Sequence, residues 1–281
     1  MRQSLLLAFL ALFSCSAAVA QSTDHSANGL ELKGVFTPAR AMKLIYGSYD
    51  NSREVSQWKP KRAKSYPSGW PDKIEAGVLL DSPFVESGSP KHLFVTWARP
   101  KERSQGEFTC HSCGVLIGIA LFSGNSDKWR VDASDLQFGE YGELGEPPSI
   151  SLQPVGPDHF GLLIPSSFGS GGIATDSITV VIRHAGEFLN ALSGQIAESW
   201  DDDGCSGTVT AERKESCFAY DGGFEMVPNA HAKYYDLLLT KRIYRSFFQK
   251  HPVGTTVTRY RFDGSKYVPQ KAPNSSASHP N

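Results

Sequence analysis

From Ile74 onward, apolar and polar positions alternate with a period of two in short segments, separated by clusters of Gly, Pro, Asn, Asp and Ser. That pattern predicts strands joined by short turns. Segments 76–80 and 92–98 are the first two. Residues 129–131 resume a strand after the turn Gly124-Asn125-Ser126-Asp127. Segments 160–164, 178–182 and 188–196 follow, then the alternating positions Tyr235, Leu237 and Leu239. Thr258, Tyr260 and Phe262 run into the hairpin turn Asp263-Gly264, and residues 266–268 return. In 178–182, Ile178, Val180 and Ile182 face one way, while Thr179, Val181 and Arg183 face the other. Residues 115–122 are different: a nearly continuous apolar run interrupted by Gly118. Its length and branched residues suit a strand buried on both faces, with a buried helix as the alternative. About ten to twelve strands with short turns predict a mainly β fold, an antiparallel meander. Period-two patterning leaves sandwich, barrel and partial propeller open.

One helix is predicted, near the N-terminus. Thr37 suits the cap, Pro38 the first helical position and Gly47 the C-terminal stop. Ala41, Leu44 and Ile45 give it an apolar side. Residues 51–72 read as a polar loop with a basic run, Lys59, Lys61, Arg62 and Lys64. Trp58, Tyr66 and Trp70 nearby would offer stacking surfaces to an anionic ligand, but a solvated loop explains the same run.

The first twenty residues have the form of an export leader: Arg2, an uncharged apolar stretch, then Ala18-Val19-Ala20 as a cleavage site. A lipid anchor at Cys15 is the alternative. The chain is therefore expected to divide into a cleaved signal peptide (1–20), a polar N-terminal segment with the short helix (21–72), a β-rich domain (73–269) and a disordered tail (270–281). The apolar stretch is too short for a transmembrane helix, and no later one is longer. Of 281 residues, cleavage leaves 261, with 29 acidic side chains against 27 Lys and Arg once Arg2 is gone. That balance argues against a nucleic-acid partner.

An exported location changes the reading of the cysteines. Cys110, Cys113, Cys205 and Cys217 remain after cleavage, and an oxidising compartment favours disulfides. Three pairings are open to four cysteines. The local one, Cys110–Cys113 with Cys205–Cys217, is preferred, and closing the second loop would stabilise the fold by about 3 kcal/mol. Cys110-His111-Ser112-Cys113 is also a redox candidate, since a neighbouring His favours the thiolate. Against this, the residues that follow read as strand, whereas a redox CxxC opens a helix. Zinc would need all four sulfurs to converge.

Asp201, Asp202 and Asp203 before Gly204 form an acidic turn that resembles part of a calcium loop without its distal Glu. Gly169-Ser170-Gly171-Gly172-Ile173-Ala174 matches a dinucleotide loop in letters only. A strand-like segment follows it where a helix is needed, so it reads as a flexible glycine hairpin loop. His184 with Glu187 and His231 with Asp236 are pairs by sequence alone. GxSxG, HExxH and GxxxxGK[ST] motifs are missing.

The stretch from Phe108 through Cys110 and Cys113 to Gly114, the Phe138-Gly139-Glu140-Tyr141-Gly142 and Gly145-Glu146-Pro147-Pro148 segments, Val155-Gly156-Pro157-Asp158 and the closing Tyr260 to Gly264 resemble a group of exported β-rich proteins of Gram-negative bacteria with no established activity. The resemblance implies a periplasmic or secreted location and carries over no catalytic residue. The expected function is a non-enzymatic binding or inhibitor module with an unknown protein or small ligand of the cell envelope as partner. A thiol–disulfide redox protein and a calcium- or ligand-binding envelope protein are the alternatives. No cofactor is expected.

Overall fold

A computed structural model describes residues 27–61, 67, 69–101, 113–170, 173–200, 219–244 and 251–270. The leader with Cys15, the residues Arg62, Lys64, Tyr66, Cys110, His111, Asp201, Asp202, Asp203, Cys205 and Cys217, and the tail from residue 271 lie outside them. Among the described residues no helix is long and apolar enough to cross a membrane.

The chain is mainly β and antiparallel, with one short helix among the described residues. Its elements are β1 (Glu31–Lys33), α1 (Pro38–Tyr46), β2 (Val55–Trp58), β3 (Ile74–Glu86), β4 (Ser89–Arg99), β5 (Val115–Gly124) and β6 (Lys128–Tyr141), then β7 (Ser151–Gly156), β8 (His159–Ser170), β9 (Ile173–His184), β10 (Glu187–Trp200), β11 (Ala219–Val227), β12 (Asp236–Tyr244), β13 (Gly254–Phe262) and β14 (Tyr267–Pro269). Two sheets result. The first is a meander of β2 to β6, with β1 added beside β6. The second runs from β7 to β14 in unbroken sequence order and curves as a half-barrel.

Side-chain alternation builds three cores from these two sheets. In β5, Leu116, Ala120 and Phe122 face an outer core under α1. Val115, Ile117, Ile119 and Leu121 face the second sheet. The strand predicted to be buried on both faces is therefore the middle of the molecule. The second sheet repeats the arrangement. Leu162, Ile164 and Val181 join the inter-sheet core, while Leu163, Ile178, Val180 and Ile182 line the inside of the half-barrel. Gly118 interrupts the apolar run for a packing reason. A methyl group there would meet the Thr96 hydroxyl at 2.5 Å and the Tyr46 hydroxyl at 3.0 Å, two groups that hydrogen-bond each other at 2.6 Å across the helix–sheet contact.

The helix follows its sequence signals at both ends. The Thr37 hydroxyl accepts from the Arg40 amide, Pro38 opens the helix, and Gly47 closes it with φ at +81°. Its anchors differ from the expected ones, since Met42 and Tyr46 are buried with Ala41, while Leu44 and Ile45 are half-buried. Thr37→Ala should lower stability by about 1 kcal/mol, the usual cost of losing such a cap, read as a fall in urea midpoint at unchanged slope.

Several stretches differ from the sequence reading. Segment 51–72 contains β2, and its Trp70 is buried in the outer core. Trp58 packs edge-on against Tyr46, so both tryptophans serve the fold. The glycine stretch at 169–174 does connect a hairpin, as read, but β8 continues to Ser170 and β9 resumes at Ile173, leaving little loop between them. The strand recognised at 129–131 extends to Tyr141. Irregular pairing with β5 breaks its period, with Leu121 opposite Ala133 and Phe122 opposite Val131.

Candidate functional site

Antiparallel pairing places the β3–β4 and β5–β6 hairpins at one end of the first sheet. Ser87 and Gly88 both have positive φ, which gives the first hairpin a tight two-residue tip. In the second, the Asn125 side-chain oxygen accepts from the Asp127 and Lys128 amides at 3.0 and 3.1 Å. Gly124 is required there, because a Cβ would collide with the Lys128 carbonyl. Between these tips and β1 lies an open basin of about 620 Å³.

Its lining is charged and polar. Lys128, Arg130 and Asp132 stand at alternate positions of β6, Lys91 comes from β4 and Glu31 from β1. Asp132 is the extra residue of the β6 bulge, which aims it across the sheet at Lys91. The Lys91 ammonium meets it at 2.9 Å, and these two side chains are only 12 and 10 % exposed. Arg130 binds the same carboxylate through Nε and Nη2 at 3.3 and 3.0 Å. Burial alone would raise the Asp132 pKa, yet hydrogen bonds from Ser123, Lys91 and Arg130 hold it below the usual range. Lys128 and Glu31 form a second pair at 2.7 Å, both about half exposed. The Lys128 hydrogen bond, assisted by Lys33 and Arg130, depresses the Glu31 pKa as well.

A second polar cluster stitches the two sheets together beside the same β3–β4 hairpin. Glu86 lies 3.5 Å from Arg183 on β9 and 3.6 Å from His159 on β8. Tyr234 donates to the Arg183 carbonyl at 2.7 Å and lies 3.3 Å from the His184 Nδ1. Burial, reinforced by the Glu86 charge, raises the Tyr234 pKa, so it remains a neutral donor at pH 7. Glu86 makes the cross-sheet contacts, Tyr234 braces the β9 end that receives them, and the cluster works as a seam.

The sequence-level pairs resolve differently. His184 and Glu187 are register partners across the β9–β10 hairpin, but the imidazole contacts Tyr234. Asp236 is fully buried and accepts from Arg259 at 2.7 Å and Asn229 at 3.0 Å. His231 contacts the Asn229 side chain through its backbone amide. Of Cys110, Cys113, Cys205 and Cys217, Cys113 alone lies among the described residues. Its sulfur is disulfide-bonded. Its carbonyl accepts from the Gly145 amide at 2.8 Å, at the end of the first sheet opposite the basin. Among the described residues no group of three or more His, Cys, Asp or Glu side chains is placed to hold a metal ion.

None of the charged basin residues stands out as a site in the sequence, and Gly124 and Asn125 read there only as part of a turn. A signal was present in Lys128-Trp129-Arg130-Val131-Asp132, where charges alternate with core residues on one strand. Their partners Lys91 and Glu31 come from distant segments, and only the sheet order brings them together. No family model matches the chain, and no curated protein or solved structure matches it.

Proposed function

We propose that the protein is a non-enzymatic binding module of the bacterial cell envelope, exported by its N-terminal leader, that holds its ligand in the basin between the β3–β4 and β5–β6 hairpins. The observation that carries this reading is the basin itself: an open concavity of about 620 Å³ with polar walls fixed by two tight hairpins. It is set on a sheet whose central strand is buried on both faces. Binding sites are commonly built in this way, with adaptable tips on a rigid frame. The ion pairs at its floor are already satisfied, an arrangement suited to recognition, where groups must be held in place without reacting.

The test compares the mature chain with Ser89→Trp, which fills the basin from its rim. Both are immobilised and exposed to periplasmic extract, and retained molecules are identified by mass spectrometry. The reading expects a defined species kept by the parent and lost by the filled variant. Identical retention by the two proteins, or none by either, overturns it.

A further inference from the structure

Building on that reading, we propose that the basin takes an oxyanion, a carboxylate or phosphate group of the ligand, between Lys128 and Arg130, with Lys91 and Asp132 as positioning residues beneath.

The four groups divide by exposure. Lys91 and Asp132 are shielded and bound to each other, whereas Arg130 and Lys128 expose 61 and 55 % of their side chains. Residues two apart on a strand are about 7 Å apart and share a face, which leaves room for one oxyanion between the two cationic heads. Arg130 does not drift, because Asp132 grips its guanidinium through two nitrogens. Three cations face two carboxylates in the lining, and Lys33 stands opposite Lys128 on β1. The depressed pKa values of Glu31 and Asp132 agree with a positive field there.

A cation is the worse fit. It would have to strip Asp132 from a shielded lysine, an arginine and a hydroxyl, leaving Lys91 poorly compensated. An anion has an easier route. The Lys128–Glu31 pair is exposed on both sides, and such pairs are worth about 0–1 kcal/mol, so an incoming oxyanion can take the place of Glu31. Glu31 is then a competitor for the same ammonium. Variants at Glu31 and at the cations should therefore move affinity in opposite directions, which a merely structural role would not produce.

The experiment titrates the ¹⁵N-labelled mature chain with inorganic phosphate, acetate or glucose at constant ionic strength and follows the amides of Lys91, Gly124 and Asn125. Saturable shifts with phosphate or acetate are expected, and the stronger of the two names the oxyanion. Lys128→Gln with Arg130→Gln should weaken binding at least tenfold. Glu31→Gln should tighten it about fivefold, the factor that one exposed ion pair allows. Arg242→Gln, remote from the basin, should change nothing, and unchanged thermal midpoints show that each variant is folded. Absence of a saturable shift with either ion, or equal affinities across the variants, overturns the proposal. Shifts with glucose alone discard the oxyanion while the binding reading stands. Both fall if, in addition, the basin-filled variant retains the same molecules as its parent.

Discussion

Phe122→Ala is expected to cost about 3–5 kcal/mol, the usual range for emptying a fully buried aromatic position. Phe122 has no solvent exposure. Its ring lies 5.0 Å from Phe36 and 6.2 Å from Phe94, both edge-on, so the loss includes aromatic contacts as well as buried area. The site cannot close by a small shift. β5 is paired on both sides, to β4 and β6, and its other face packs against the second sheet, so the backbone has nowhere to collapse. A domain with about 5–15 kcal/mol of total stability loses a large share of it. Urea unfolding measures this, with Phe168→Ala as the contrast: that side chain is 49 % exposed, and its loss should change stability by no more than about 0.5 kcal/mol. A Phe122→Ala loss below about 1 kcal/mol would mean that the outer core does not secure the first sheet.

The same strand shows what could be read in advance and what could not. Seven apolar residues in a run of eight, broken only by glycine, can be satisfied by burial on both faces, and β5 is buried that way. The helix was legible because capping chemistry is local: Thr37, Pro38 and Gly47 act within one turn of the residues they cap. The mainly β, antiparallel character was legible from the alternation of period two. Strands β1, β2 and β11 were hidden for two physical reasons. β1 and β2 are three and four residues long, too short to show a period. β11 carries Gly222 and Gly223 in its middle. A side chain at 222 would run into the Ile196 and Thr240 carbonyls of the neighbouring strands, so packing removed the alternating residue that marks a strand.

The basin was hidden for a further reason: its chemistry is made by pairing. Lys91 and Asp132 are 41 residues apart, and only the β4–β5–β6 order with a bulge at Asp132 makes them partners. The motifs most visible in the sequence, Cys110-His111-Ser112-Cys113 and Asp201-Asp202-Asp203, lie wholly or largely outside the described residues. The topology still locates where their connections depart. β4 ends at Arg99, β5 begins at Val115, β10 ends at Trp200 and β11 begins at Ala219, each at the end of its sheet opposite the β3–β4 hairpin and the seam at Glu86.

Asp236 should dominate the acid sensitivity of the second sheet. Its carboxylate is fully buried at the start of β12, with Arg259 at 2.7 Å, Arg261 at 3.5 Å and the Asn229 amide at 3.0 Å. Burial by itself would raise its pKa, but the hydrogen bonds from Asn229, Arg259 and Arg261 outweigh that and hold it below the ordinary aspartate range. A carboxylate depressed in the folded state contributes its full stabilisation above the unfolded pKa and loses it as pH falls through the folded one. The contribution should therefore be complete at pH 7 and decline from about pH 5 downward. Asp236→Asn keeps the shape and removes the charge. It should cost about 1.5–3 kcal/mol at neutral pH, the range for hydrogen bonds to a charged group, and not more, because both arginines are about half exposed and stay hydrated without their partner. Urea unfolding at pH 7, 5, 4 and 3 separates the possibilities. The gap between parent and variant should be widest at pH 7 and narrow steadily as pH falls from 5 to 3. A gap that stays constant across that range would show that the side chain acts through packing or neutral hydrogen bonding, and that its charge contributes nothing to joining β12 to β13.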